Sequence, residues 1–178
     1  NMLTELAGGD FEQGKQSSFS EWNDWLGRIE VEGGSREQQI KLYTDLWHAL
    51  LGRHVVSDAD GHYMDMTSDF PRIRQIPLGE DGKPLYNHHN FDAWWGSHWS
   101  LNILWSMAYP EVMDNFCNTM TDMYQNGGLI PRGPSGGNYT YVMIGDPAVS
   151  FFASAYNKGI RNYDAELAYE ILRKNSFV

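Results

Sequence analysis

The sequence contains a single cysteine, Cys117, among 178 residues. No intramolecular disulfide is possible, and a cysteine-based metal site is disfavoured. Cys117 falls in an apolar pattern of helical period, where it reads as a buried structural thiol rather than a nucleophile. Basic residues are also scarce. Lys and Arg number 13 against 23 Asp and Glu, a net charge of −10. A surface this acidic cannot neutralise phosphates, which argues against nucleic acid as a partner. It favours solubility and a neutral or cationic ligand. No apolar run approaches the roughly 18 residues of a membrane span, and no signal-peptide pattern is visible. What the chain has in quantity is aromatic side chains, 14% of residues with 7 Trp and 10 Tyr. Such rings bury large areas and also stack on the apolar faces of sugars and bases.

Helical periods dominate the rest. Residues 1–18 read as a loose leading segment. Ser20 is a candidate cap for a short helix with Trp22, Trp25, Leu26 and Ile29 on one stripe. Ser35 with Gln38 forms a capping-box pattern before Ile40, Tyr43, Trp47 and Leu50 or Leu51, and Gly52 ends the run. From Arg53 to Asp92 no helical period survives. That length is too great for an idle connection, and Asp81-Gly82 signals one small hairpin within it. Leu101, Leu104 and Trp105 mark a further helix over Ser97–Ala108. Val112, Met113, Phe116, Cys117, Met120, Met123 and Tyr124 mark the next, closed by Gly127-Gly128. Asp146-Pro147 starts a helix carrying Val149, Phe152, Ala153 and Tyr156, which ends at Lys158-Gly159. Asp164 caps the last, with Leu167, Ile171 and Leu172 inward. Six helices without sustained strand alternation predict an all-α fold of paired antiparallel helices. The chain begins Asn-Met-Leu and stops inside a helical pattern, so the expectation is a piece of a longer protein. Apolar faces left uncovered by such a piece make self-association an expectation as well.

The stretch Asn87–Pro147 concentrates the candidate chemistry. Trp94, Trp95, His98 and Trp99 crowd one helix start, and four rings there cannot all enter one core face, so at least one is expected to face a ligand. Arg132 and Asn138 in the glycine-rich connection are candidates to hydrogen-bond a polyhydroxyl ligand, or to pin the loop. Those glycines are not a phosphate cradle, because no Gly-Lys-Ser/Thr follows and no strand precedes. His88 and His89 do not make a zinc pair, since adjacent side chains of a strand or loop point apart and no third ligand sits at zinc spacing. Asp58-Ala59-Asp60-Gly61 resembles part of an EF-hand loop, but the glycine is early and the closing Glu is missing. Asp58, Asp60, Asp65, Asp69 and Asp92 read as turn or cap residues. Asn138-Tyr139-Thr140 is a glycosylation sequon, relevant only in a eukaryotic secretory setting.

Several landmarks occur in a recognisable order: Trp25-Leu26-Gly27-Arg28-Ile29-Glu30-Val31-Glu32-Gly33-Gly34, Leu42-Tyr43-Thr44-Asp45-Leu46-Trp47-His48, Ser57-Asp58-Ala59-Asp60-Gly61-His62-Tyr63, Met143-Ile144-Gly145, and Ala155-Tyr156-Asn157-Lys158-Gly159-Ile160. From about Glu21 to Lys174 the chain resembles glycoside hydrolase family 92, whose members are calcium-dependent, exo-acting, inverting α-mannosidases. They carry a β-sandwich domain followed by an (α/α)6 barrel. The resemblance implies that residues 19–178 are the first part of such a barrel, and that the acid, the base and the calcium ligands lie in motifs absent from this chain. No catalytic and no metal-binding residue is therefore assigned within it. Trp95-Gly96-Ser97-His98-Trp99 stands where the family usually has Trp-Asp-Thr-Phe-Arg. Near Gly133-Pro134 and Asn138-Tyr139-Thr140 the family's acidic residues are also replaced, Tyr139 standing at one such position.

The expected function is thus part of an exo-glycosidase acting on α-linked mannose or a related sugar. Trp94, Trp95, His98, Trp99, Arg132, Asn138 and Tyr139 would form a wall of the glycan site, and the isolated chain would be inactive. Its partners would be an oligosaccharide or glycan substrate and the remainder of the parent chain. A calcium ion would be bound by the full-length protein, at a secreted, periplasmic or cell-surface location. A non-catalytic carbohydrate-binding module, or a purely structural helical module whose aromatics are all core, is the alternative.

Overall fold

Asp10 opens the first helix by accepting a hydrogen bond from the Glu12 N–H at 3.0 Å. The helix, α1, runs Phe11–Leu26, so Ser20 lies inside it and the leading polar stretch is not loose from residue 11 onward. Glu, Gln and Lys are good helix formers even without an apolar period, and Lys15 pairs with Glu12 at 3.2 Å. The computed structural model describes residues 9–51, 53–91, 94–132, 134–135, 138–142 and 144–177, with backbone alone at 134, 135 and 138. It divides into two units, Asn1–Gly52 and Arg53–Val178.

The first unit is a helical hairpin. Ser35 caps α2 (Arg36–Leu50) in the expected capping box with Gln38, which satisfies two orphan donors reciprocally. Leu51 is its C-cap; the expected terminator Gly52 lies outside the described residues. Trp22 meets Trp47 edge-on at 6.1 Å, and the Tyr43 hydroxyl donates to the Ile29 carbonyl at 3.1 Å. The buried residue of α2 is Leu46, one turn from Tyr43 and outside the expected stripe, whereas Ile40 and Trp47 are exposed.

The second unit is built on α4 (Pro110–Gly127), which follows α3 (Leu101–Ala108) across the fully buried Tyr109. Its apolar stripe is as the sequence predicts: Val112, Met113, Phe116, Cys117, Met120 and Met123 are all buried. Phe116 is the hub. It stacks on Trp105 at 5.4 Å and takes the edges of Trp94 at 4.5 Å, Phe91 at 5.9 Å and Phe151 at 6.1 Å. Such pairs add to plain area burial because ring edges are positive and faces negative. Gly128, at φ 85°, ends α4 in the left-handed conformation that glycine adopts without penalty.

Two more helices follow: α5 (Pro147–Asn157) and α6 (Ala165–Phe177). The start of α5 is as expected, with Asp146 at the N-cap and Pro147 at N1. Its inward face is rotated from the expected one. Ala148, Phe151, Phe152 and Ala155 are buried, while Val149, Ala153 and Tyr156 are exposed. The stack of Phe151 on Trp94 at 4.3 Å sets that rotation. In α6, Asp164 accepts from the Leu167 N–H at 2.9 Å as a cap, and Ala168 and Ile171 are buried.

Two short two-stranded sheets accompany the helices. Strand β1 (His62–Asp65) pairs antiparallel with β2 (Arg72–Gln75), from His62 opposite Gln75 to Asp65 opposite Arg72. This ladder precedes the Asp81-Gly82 turn, where the expected hairpin is reduced to a single bridge between Leu78 and Pro84. Four residues of strand alternation are too few to stand out in sequence. Strands β3 (Pro134–Ser135) and β4 (Asn138–Tyr139) form the second pair. Among the described residues no helix is long and apolar enough to cross a membrane.

Candidate functional site

The four expected rings at the start of α3 divide between core and surface. Trp94 is fully buried, stacked on Phe91 and Phe151, with its indole N–H 3.2 Å from Met120 Sδ. It is a core residue and cannot touch a ligand. Gly96, at φ 81°, then turns the chain into a short 3-10 turn, Ser97–Trp99. Ser97 is buried and donates to the Trp94 carbonyl at 2.8 Å, which leaves its neighbours outside. Trp95 is 66% exposed and Trp99 77% exposed, with the His98 ring 4.4 Å from that of Trp99. His98 and Trp99 thus present their rings on a turn that packs against α5, and Trp95 is exposed just before it.

At the approach to α5 lies a cavity of about 380 Å³. Leu129, Ile130, Pro131 and Val142 give it apolar walls, and Arg132, Tyr139, Asp146 and Asn175 give it polar ones. Two predicted residues, Arg132 and Tyr139, are therefore brought together here. Asn138 pairs with Ser135 through the backbone, and its side chain lies outside the described atoms. The Tyr139 hydroxyl is turned to the main chain, between the carbonyls of Met123 (3.0 Å) and Leu129, and accepts from the Leu129 N–H at 3.3 Å. Tyr139 offers the cavity its ring, not its hydroxyl. Tyr141, 84% exposed and 6.0 Å from the Tyr139 ring, holds φ at 55°. A bulky side chain in that region is strained, and such strain gathers at ligand clamps.

Asp146 and Asn175 are the site residues that sequence reasoning missed. Asp146 has the form of an N-cap, but its side chain makes no capping hydrogen bond. Burial pushes its carboxyl above the usual value; the N–H groups of Ala148 and Val149, the Arg132 charge and the Asn175 amide offset only part of that. Asp146 Oδ2 and Asn175 Oδ1 are both buried without a hydrogen-bond partner. No sequence signal joins an N-cap to a residue near the end of the next helix; only the fold does.

The remaining polar groups hold the loops to α4. Asp122 accepts from the Tyr86 hydroxyl at 2.8 Å and faces His88 Nδ1 at 3.3 Å; His88 stacks on Tyr63 at 3.9 Å, and Asn126 donates to the Tyr63 hydroxyl at 3.0 Å. His89 takes its neutral form. Its Nδ1–H donates to the Arg53 carbonyl at 3.2 Å, Nε2 faces the Asn115 amide at 3.5 Å, and burial lowers its pKa to about 4. The loop carboxylates serve turns. Asp60 accepts from the His62 N–H at 3.2 Å. Asp65 accepts from the Thr67 N–H and hydroxyl and from Arg74 Nε, bonds that outweigh its burial and hold its carboxyl below the usual value. Asp58 closes a turn through its backbone, Asp69 is exposed, and Asp92 lies outside the described residues. Among the described residues no three His, Cys, Asp or Glu side chains converge to hold a metal ion. The described residues of this chain thus bring together no complete carboxylate site for calcium.

Comparison with known proteins gives one family. The model of the glycosyl hydrolase family 92 catalytic domain matches residues 1–178. No curated protein matches the chain. Among solved structures, a family GH92 α-mannosidase from Bacteroides thetaiotaomicron superposes with a TM-score of 0.86 at 23% identity, over 98% of this chain and 22% of that one. Its complex with mannoimidazole gives 0.85 at 22% identity, over the same shares. An inverting family GH92 mannosidase from Bacteroides thetaiotaomicron VPI-5482 gives 0.81 at 25% identity, over 97% of this chain and 22% of that one. The chain therefore spans about a fifth of the length of the structures it matches.

Proposed function

The chain belongs to the glycosyl hydrolase family 92 catalytic domain, and on that premise we propose that it is part of an exo-acting glycosidase that hydrolyses α-linked mannose, or a related sugar, with inversion. The observation that carries this reading is the family match along all of residues 1–178. The likeness to an inverting mannosidase supports the stereochemistry, and the likeness to a mannosidase that binds mannoimidazole supports the substrate class.

Inversion requires an acid and a base roughly 6.5–9.5 Å apart, with a water between. Among the carboxylates of the long loop, Asp60 and Asp65 are engaged in turns, and the reading, following the resemblance, leaves acid, base and calcium to parts of the catalytic domain outside this chain. The chain's own work is to bind and orient. Trp95, His98 and Trp99 offer exposed rings for the apolar face of a sugar. Arg132, Tyr139, Asp146 and Asn175 bound a recess of about 380 Å³.

Gly96 stands where the resemblance puts the family's usual Asp, a residue expected to hydrogen-bond the terminal mannose, and it has no side chain to do so; a related sugar or linkage therefore fits as well as mannose. The test is hydrolysis by the full-length protein of a panel of aryl α-glycosides. Turnover of an α-mannoside or a close epimer supports the reading, and inertness toward every α-glycoside in the panel overturns it.

A further inference from the structure

Among the described residues, Tyr141 is the one non-glycine residue that holds a positive φ, at 55°. Wherever else these residues turn through positive φ the chain uses glycine, as at Gly128 (φ 85°) and Gly145 (φ 82°) on either side of this loop. Glycine enters that region without a clash. A residue with a β-carbon crowds its own backbone there, and a bulky ring is the least suited of all. The strain therefore falls on a single residue, in a loop that elsewhere meets the same demand with glycine.

Packing does not account for it. The Tyr141 side chain is 84% exposed, and its ring lies 6.0 Å from that of Tyr139 with the planes 61° apart. The bend is instead fixed from both sides. The Tyr139 hydroxyl is tied to the main chain at Met123 and Leu129. On the other side the Val142 N–H donates to the Thr140 hydroxyl oxygen at 3.4 Å, closing the backbone around Tyr141. These neighbours impose the conformation, and the ring stands open at the wall of the 380 Å³ cavity. Strain that the surroundings impose, on a side chain left open beside a cavity, is the pattern of a ligand-contacting residue.

The chemistry of the ligand follows from what surrounds the ring. Leu129, Ile130 and Val142 continue an apolar surface next to it, and Arg132 lines the same cavity. An open aromatic face attracts either a cation or an array of C–H groups. The Arg132 charge disfavours a cation, and the net charge of −10 disfavours a phosphorylated ligand. A sugar ring meets both conditions, since it is neutral and has a C–H face.

We propose that Tyr141 is a sugar-stacking residue, its ring held beside this cavity by a left-handed backbone and lying against the C–H face of a glycan unit bound there. The inference rests on the glycosidase reading for its class of ligand, and on the backbone and exposure of Tyr141 for its place.

The test uses the full-length protein and a panel of sulfur-linked α-disaccharides of mannose and its epimers, which resist hydrolysis. Affinity is read by calorimetry and stability by urea unfolding. Tyr141→Phe keeps the ring, and its affinity for the preferred disaccharide should stay within about twofold of the unmodified protein. Tyr141→Asn removes the ring and suits the left-handed backbone. Its affinity should fall about fivefold or more, while its urea midpoint stays level or rises. Unchanged affinity in Tyr141→Asn overturns the proposal. So does a lowered midpoint in that variant, because the ring would then be packed under the rest of the catalytic domain. An equal loss of affinity in Tyr141→Phe also overturns it, since the hydroxyl and not the ring face would hold the sugar. Hydrolysis of α-mannosides with Tyr141→Asn affinity intact sinks this inference and leaves the proposed function standing. The predicted losses in a protein that binds but hydrolyses no α-glycoside do the reverse, and a protein that binds no member of the panel contradicts both.

Discussion

Gly127 and Tyr139 compete for one small space: a β-carbon added at Gly127 would come within 2.5 Å of the Tyr139 hydroxyl. The same added atom would lie 2.7 Å from Thr67 Cβ. The last residue of α4 is thus where the β1–β2 region and the glycine-rich connection both close on the helix.

Gly127→Ala is accordingly expected to destabilise the protein, although alanine favours a helix over glycine by about 1 kcal/mol. Overpacking costs about 1–3 kcal/mol, and here the obstruction comes from two sides. A lowered midpoint in urea unfolding checks it; an unchanged or raised midpoint means that the loops yield freely.

Tyr139→Phe separates the two roles of that ring. The hydroxyl bonds to the backbone at Met123 and Leu129, so its loss should cost about 1 kcal/mol of stability. The ring remains as a cavity wall, and sugar affinity should change less than twofold. A large loss of affinity with stability intact would place the hydroxyl on the ligand instead.

Trp94 and Trp99 should respond oppositely to truncation. Trp94 is fully buried in the Phe116 cluster, and Trp94→Ala should cost about 3–5 kcal/mol. Trp99 is 77% exposed, and Trp99→Ala should change stability by less than about 0.5 kcal/mol while weakening sugar binding. Thermal unfolding of both variants, with sugar titration of the second, tests the division.

His89 predicts an acid limb in stability. Its pKa is lowered by burial to about 4, against an ordinary value of about 6.5. Between those values the unfolded chain holds the proton and the folded chain does not. The stabilisation is complete above the ordinary value and is lost as pH falls toward 4. That difference amounts to roughly 3 kcal/mol. Asp114 and Asp146, both raised by burial, act in the opposite sense near the carboxylate range and blunt the lower end. His89→Gln should flatten the limb; an equally steep fall in that variant assigns it to other groups.

Much of this architecture is legible in the sequence, and the exceptions have identifiable causes. The α4 stripe is readable because seven apolar residues repeat at helical spacing with no competing pattern. The Ser35–Gln38 box and the Asp146-Pro147 start are local chemistry, so sequence suffices. The start of α1 is hidden because a polar helix carries no period, and Asp10 signals it only as a cap. The facing of α5 is hidden because Trp94 and Phe151 set it, and they are far apart in the chain. The same distance explains the site. Trp94, Trp95, His98 and Trp99 are visible as a cluster, but which rings face out depends on the turn at Gly96 and the burial of Ser97. The Asp146–Asn175 pair exists only once α5 and α6 have packed.

The most direct measurement is the anomer released when the full-length protein acts on an aryl α-mannoside, followed by proton NMR from the first seconds. Initial appearance of β-mannose, with no turnover by the isolated 178 residues, is the predicted result. Release of α-mannose first, or hydrolysis by the isolated chain, contradicts the account.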